Sequence, residues 1–275
     1  MPEKPEVITV AKKLETRLIG KTILKVEVYH DNMIDYPSVS SFKKEIVNQK
    51  IYEITTRGKW IVMTLDDYYM LFHLRMEGKF FFRTKKDTKN KHEHVIFDLD
   101  DDNQLRFADV RKFGKIMLIE KDKLYSMKPY TELGLEPWDK KLTSDYLKEK
   151  YDKKTLPIKS VLLDQSIITG IGNIYADEIL FLSKINPLTK AKDLSDKNRK
   201  DIINNTIKVL DKAIEEGGTT IRSYTSEEGV TGLFQNNLLV HQRAKEPCRV
   251  CKTPIIKIKV GGRGTYYCPK CQPEK

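Results

Sequence analysis

No stretch of this sequence approaches the roughly 18 apolar residues that a membrane span requires, and its first residues hold no apolar signal core. A soluble, intracellular, cytoplasmic protein with no membrane partner is therefore expected. No cysteine occurs before residue 248, and the chain has only four. So sparse a supply argues against a disulfide scaffold in a chain of this size. Internal repeats and low-complexity tracts are also missing, which leaves ordinary globular domains. At 275 residues the chain can form one or two domains with a real core and a cleft.

Acidic residues are the minority: 39 Asp and Glu face 50 Lys and Arg, giving a net charge of +11 and a pI near 9.2. Such a balance favours a polyanionic partner, nucleic acid or an anionic surface. The excess is concentrated. Residues 238–275 carry nine Lys and Arg against Glu246 and Glu274, so that seven of the eleven net charges sit beside all four cysteines. That clustering reads as a footprint for phosphate rather than as an evenly solvated surface.

Along the chain, Val7, Val10, Ala11, Leu14 and Leu18 recur at helical spacing, and Gly20 ends the run. From Thr22 to Ile119 the pattern becomes short β-rich segments, at 23–29, 51–57, 60–65, 68–74, 79–83, 94–99, 104–108 and 115–119. Many short strands with Asp, Asn and Gly turns suggest a sandwich or flattened barrel. A linker containing Pro137 is expected around 134–141, followed by helices. The clearest of these runs from an N-cap at Ser195 to Gly217, with Ile203, Ile207, Leu210 and Ile214 on one face. Alternation returns at Ile256, Ile258 and Val260, and with the glycines at 261 and 262 it reads as a two-stranded hairpin. The resulting expectation is an α+β protein. It comprises a helix plus β-sandwich domain over 1–133, a helical domain over 134–237 and a cysteine hairpin over 238–275.

Cys248 and Cys251, then Cys268 and Cys271, form two C-x2-C pairs separated by sixteen residues. This spacing is that of a four-thiolate structural Zn2+ site with no open ligand position, which stabilises a fold and performs no chemistry. Two disulfides or free thiols are the alternative. Zinc would hold the hairpin rigid with Arg263 at its tip, where a guanidinium can reach a phosphate, although an ordinary loop arginine fits the same pattern.

The start of the chain is ambiguous. Pro2 and Glu3 opening a helix are explained by helix preferences alone. Yet Met-Pro is a sequence from which the initiator methionine is readily trimmed, leaving a secondary amine at the positive end of a helix. Such a field lowers an amine pKa toward what a nucleophile near neutral pH requires. Glu3 is then placed to move protons.

Eight segments, in order, are similar to those of one family. MPEKPEV at 1–7, RGKW at 57–60, HLRMEG at 73–78, KHEHV at 91–95, DVRKFG at 109–114, GIGNIYADE at 170–178, EEGGTT at 215–220 and the paired cysteine blocks resemble the formamidopyrimidine-DNA glycosylases across essentially the whole chain. The resemblance implies a helix-two-turn-helix domain closed by a zinc finger, and a glycosylase that removes oxidised purines and then cleaves the strand as an abasic-site lyase. It implies Pro2 as the Schiff-base nucleophile and Glu3 as proton donor, with Lys59 assisting β-elimination and Arg263 δ-elimination. Met76, Arg111 and Phe113 would fill the void left by the extruded base. The physics suits that task, since a thioether and a ring replace stacking while a guanidinium bonds the orphaned base. From residue type alone, however, Met76 and Phe113 could equally be core, Lys59 a solvated strand-end lysine, and Arg111 with Lys112 a charged turn.

The resemblance further implies that His92, Lys112, Lys154, Lys159 and Asn173 contact DNA, the last from a GIGN turn whose amides can cradle a phosphate. The partner would be duplex DNA holding oxidised or abasic sites, bound by a monomer at the nucleoid. Three departures stand out. Lys4 replaces an apolar residue, His241 stands for a tyrosine in the segment before the cysteines, and Thr155 replaces a lysine for which Lys154 alongside supplies the charge. The loop at 226–235 resembles the base-recognition loop of the purine enzymes. With Met76, Arg111 and Phe113 it favours purine over oxidised-pyrimidine lesions, and a non-catalytic zinc-ribbon binder is the remaining alternative.

Overall fold

The computed structural model of the protein describes residues 1–219 and 232–274. The described residues cluster into two compact units, residues 1–131 and residues 132–219 with 232–274. Residues 226–231 of the expected base-recognition loop lie outside the described residues, as does Thr220.

The first unit opens with α1 (Lys4–Leu18), whose buried residues Val7, Ala11, Leu14 and Leu18 follow the helical spacing. It continues with β1 (Ile23–Val28), β2 (Ile34–Tyr36), α2 (Val39–Glu45), β3 (Glu53–Arg57), β4 (Trp60–Thr64), β5 (Tyr68–His73), β6 (Lys79–Thr84), β7 (Glu93–Leu99), β8 (Asn103–Ala108) and β9 (Lys115–Glu120). Two sheets result, in the orders β1-β7-β8-β6 and β2-β9-β5-β4-β3, antiparallel except for the short β2–β9 pair. Inward residues of both sheets, such as Ile61, Met63, Phe72, Phe97, Leu105 and Ile116, share one apolar cluster with the buried face of α1. The sandwich expected from many short strands with Asp, Asn and Gly turns is therefore what forms, with strands such as β4, β7 and β9 buried along most of their length. Two elements lie outside that expectation. β2 is only three residues long, and α2 is a seven-residue helix started by the Ser38 hydroxyl accepting from the Ser41 N–H.

Polar groups then shape the loops. Arg106 is 2 % exposed. It donates to the Glu93 carboxylate at 2.9 Å, to the Gln104 side chain at 2.8 Å and to the carbonyls of Thr84 and Asp87 at 3.1 and 2.8 Å. One buried cation thus ties the 84–92 loop to the sheet, and its pairing is what makes its burial tolerable.

The second unit contains α3 (Ser144–Tyr151), α4 (Ile158–Leu162), α5 (Asn173–Leu182), α6 (Asp196–Glu215), β10 (Ile256–Val260) and β11 (Arg263–Tyr267). α5 packs on α6 and on β11, and α3 packs on α6. α6 begins at the expected Ser195, with a reciprocal Ser195–Asn198 capping box. Its buried stripe is Ile202, Thr206, Val209, Leu210 and Ala213, so the expected face is out of phase by about one residue. Ile203, Ile207 and Ile214 are only half-buried, since small residues at 206 and 213 let the helix approach its neighbours on the other side. The expected linker is also not free. Gly134 and Leu135 donate backbone hydrogen bonds to Gln165 and Ile167, and a Cβ on Gly134 would meet the Ile167 carbonyl at 2.4 Å.

Candidate functional site

In the first unit, Pro2, Glu3, Lys4 and Glu6 are all buried at the start of α1. A capping box fixes that turn: the Glu3 N–H donates to the Glu6 carboxylate at 2.7 Å, while the Glu3 side chain accepts from the Glu6 N–H. The Lys4 ammonium, the departure noted above, donates to the Thr56 hydroxyl at 3.0 Å on β3. β3 runs through Gly58, at φ +55, into Lys59, which is itself 6 % exposed. The solvated-lysine alternative for Lys59 is thereby removed. Burial lowers the pKa of the amine on Met1, Lys59 lowers it further, and Glu3 and Glu6 oppose the shift. The chain's beginning therefore sits in the field of both carboxylates and of the lysine.

A cleft of about 570 Å³ opens beside Met1 and is lined by His30, Asn32, Arg75, Met76, Lys112, Phe113 and Lys115. Phe113 is 49 % exposed and Met76 half-buried, so neither is a core residue. The Arg111 guanidinium lies 4.8 Å from the Phe113 ring centroid. A carboxylate builds this turn. Asp109, buried, accepts from the backbone N–H groups of Arg111, Phe113 and Gly114 at 2.8, 3.0 and 2.7 Å, while Lys112 takes φ +59. The turn is thus charged and also built to present its side chains.

His92 is half-buried on the wall of a separate cavity of about 460 Å³, and its carbonyl accepts from the Asp109 N–H. His94 instead points inward, with Nε2 3.1 Å from the Asp109 carbonyl oxygen. Sequence reasoning passes over His73. Its Nδ1 accepts from the Arg75 N–H at 3.0 Å, at the turn where Arg75 adopts φ +51 just before Met76, and its ring meets Trp60 edge-on. Burial, with Arg75 and Lys59 nearby, pushes its pKa down to about 3. A histidine ending a strand ahead of RMEG is the available signal.

In the second unit, the GIGN turn is braced by Gln165. Its side chain accepts from the Gly170 N–H and donates to the carbonyls of Leu163 and Ile171. Gly172 caps α5, and the Asn173 amide donates to the Gly264 carbonyl at 2.9 Å, so Asn173 binds the hairpin. Lys154 pairs with Asp164 at 2.9 Å and stays partly exposed. The expectation for Lys159 needs correction. Its side chain is 0 % exposed, and its ammonium donates to the Asp177 carboxylate at 2.6 Å and the Asn173 carbonyl at 2.7 Å. A cation sealed in this way supports α5 instead of touching DNA, because an unpaired charge could not remain buried.

The four cysteine sulfurs lie within 4.8 Å of one another, with Cys248–Cys271 at 3.9 Å and Cys251–Cys268 at 3.4 Å. A zinc tetrathiolate with bonds near 2.3 Å has edges of about 3.8 Å, so these residues fit the metal. Burial pushes the Cys268 and Cys271 thiols up, whereas hydrogen bonds from Thr253 bring Cys251 down to about 6. A dication resolves that crowding by stabilising all four thiolates. No other grouping of three or more His, Cys, Asp or Glu close enough to share a metal is found among the described residues. Between the cysteine pairs, Gly261 and Gly262 at φ +52 and +78 make the two-residue turn, and Arg263 stands exposed beyond it. A Cβ on Gly261 would also meet the Ser160 hydroxyl at 2.5 Å.

A helix-led sandwich and a helical unit ending in a four-cysteine hairpin define a zinc-finger protein of the helix-two-turn-helix class. Residues 1–116 match the formamidopyrimidine-DNA glycosylase N-terminal domain, residues 133–225 its H2TH domain and residues 245–273 the zinc finger found in FPG and IleRS. A formamidopyrimidine-DNA glycosylase of Exiguobacterium sibiricum is 46% identical over 99% of both chains. Two solved structures of the Lactococcus lactis enzyme are 38% identical and cover 99% of this chain and 100% of their own. One, a glycine-to-proline mutant with DNA containing Fapy-dG, has a TM-score of 0.93; the other, with DNA containing an abasic site, has 0.92. The chain belongs to the formamidopyrimidine-DNA glycosylase family.

Proposed function

We propose that this protein is a bifunctional DNA glycosylase and abasic-site lyase that removes oxidised purines, 8-oxoguanine and formamidopyrimidines, from duplex DNA, acting as a monomer in the cytoplasm at the nucleoid. The observation that carries the reading is the buried first turn of α1. Around it, Glu3, Lys59 and the cleft bearing Met76 and Phe113 surround the chain's beginning.

With Met1 removed, the Pro2 nitrogen attacks C1′ of the damaged nucleotide. The glycosidic bond breaks with its electron pair leaving on the base, and Glu3 supplies the proton that opens the sugar. The resulting iminium acidifies the C2′ hydrogen, whose loss expels the 3′ phosphate with Lys59 assisting. Loss of the C4′ proton then expels the 5′ phosphate with Arg263 assisting. Because this chemistry requires an extruded nucleotide, Met76, Arg111 and Phe113 occupy the vacated stack. Lys112, His92, Lys154 and Asn173 hold the backbone, where each neutralised phosphate contributes a salt-dependent increment. Zinc keeps the hairpin folded when bound.

Duplexes holding 8-oxoguanine or thymine glycol test the lesion class. Faster nicking of 8-oxoguanine is expected, whereas a preference for thymine glycol would move the protein to the oxidised-pyrimidine branch. Salt-sensitive binding without scission would leave only a zinc-ribbon binder.

A further inference from the structure

His241, one of the three departures from the family pattern, is 5 % exposed and faces the protein interior. Its Nδ1 lies 2.7 Å from one Asp177 carboxylate oxygen, while Lys159 donates to the other at 2.6 Å. An ionised carboxylate only accepts, so Nδ1 carries the proton. The segment that presents this ring is itself fixed, because the buried Glu178 carboxylate accepts from the N–H groups of Leu239, Val240 and His241 at 2.8, 3.0 and 2.9 Å. On its far side the imidazole meets the Tyr266 ring edge-on, with centroids 5.0 Å apart.

Asn173 and Asp177 stand four residues apart and so share one face of α5. Both lead to β11. Asn173 holds the Gly264 carbonyl directly, and Asp177 holds Tyr266 through His241. Lys159 locks the pair from beneath by donating to the Asn173 carbonyl as well as to Asp177. These two attachments fall one and three residues beyond Arg263, the first residue of β11. Cys268, one of the four residues that would hold zinc, follows the other end of the strand.

We infer that His241 is a positioning residue which, through Asp177 on one side and Tyr266 on the other, holds β11 so that Arg263 reaches the geometry required for the second elimination. This rests on the lyase reading above, with Arg263 assisting loss of the 5′ phosphate. Arginine geometry matters because misplacement of an assisting group by about 1 Å costs up to about a hundredfold in rate. The first elimination uses Lys59 of the other unit, so the inference expects it to change less than the second.

The test follows the two products separately on a duplex with a single abasic site, using zinc-loaded full-length protein. Wild-type protein is first trapped with borohydride; failure to trap would remove the lyase reading and this inference with it. His241→Phe keeps the ring but loses the donor. It is expected to trap within about twofold of wild type and retain one zinc, while the ratio of δ- to β-elimination product falls about tenfold. His241→Asn, whose amide nitrogen falls near the Nδ1 position but which lacks the ring against Tyr266, keeps the Asp177 side alone and is expected to restore the ratio only in part. Tyr266→Leu cuts the other side of the link and shifts the ratio in the same direction, which carries the test should His241→Phe lose its metal. An unchanged product ratio in a zinc-loaded His241→Phe or Tyr266→Leu protein would overturn the inference. So would an equal loss of trapping and of both products, which marks a merely structural role.

Discussion

The sandwich and the hairpin present their candidate functional side chains by opposite means. In the sandwich, a large apolar cluster shared by both sheets and α1 supplies the rigidity, and buried polar groups such as Arg106 and Asp109 only shape the turns above it. The hairpin has Phe181, Val240, Ile255 and two of its own cysteines as a core. So few apolar residues cannot order it, and the metal must contribute what burial does not. A site on a large core tolerates loss of one polar group, whereas a site on a small one depends on every link.

Removing zinc breaks the comparison most sharply. Chelation is expected to disorder 245–273 and abolish strand scission, since structural zinc contributes on the order of 10 kcal/mol to such small folds. Circular dichroism and thermal melts should show the sandwich's transition persisting; simultaneous melting of both units would contradict the division.

Two buried ion pairs, one in each unit, sharpen it. Arg106–Glu93 in the sandwich and Lys159–Asp177 in the helical unit are both nearly or fully sealed. Leaving one partner buried and uncompensated costs about 3–5 kcal/mol. Glu93→Ala and Asp177→Ala should therefore each lower the melting temperature, the first in the sandwich transition and the second in the helical one. Crossed effects would argue against independent units.

A smaller effect concerns acid. His73 titrates near 3 in the folded sandwich and near 6.5 when exposed, so the fold holds it neutral. Its contribution is complete above pH 6.5 and is lost as pH falls toward 3, by up to about 1.4 kcal/mol per pH unit. His73→Asn, which keeps an acceptor for the Arg75 N–H without titrating, should flatten the sandwich's stability profile below pH 6.5. An unchanged slope in urea titrations would remove His73 as the cause.

Legibility in the sequence follows the same contrast. Strands such as β4, β5 and β7 announce themselves as short apolar runs that are buried along most of their length, whereas β2 and α2 are too short to show a pattern. The four cysteines are readable from spacing, since two C-x2-C pairs sixteen residues apart match a tetrahedral thiolate site. α6 is legible in extent but not in phase, because small residues rather than isoleucines face its neighbours. Lys159 is misleading, for nothing in a sequence distinguishes a lysine that meets phosphate from one sealed beneath a helix. Met76 and Phe113 can be assigned only from exposure, and His73, Asp109 and Asp177 act through backbone bonds and pairings that no motif encodes. Pro2 is legible only through resemblance, since helix preferences alone explain its position.

The most direct test traps the covalent intermediate. Protein with a free Pro2 amine and protein whose amine has been acetylated are each mixed with an abasic duplex and borohydride. A stable conjugate through Pro2 in the first sample and none in the second is the expected result. Equal conjugation, or full-speed nicking by the acetylated protein, would contradict a nucleophile at the start of the chain.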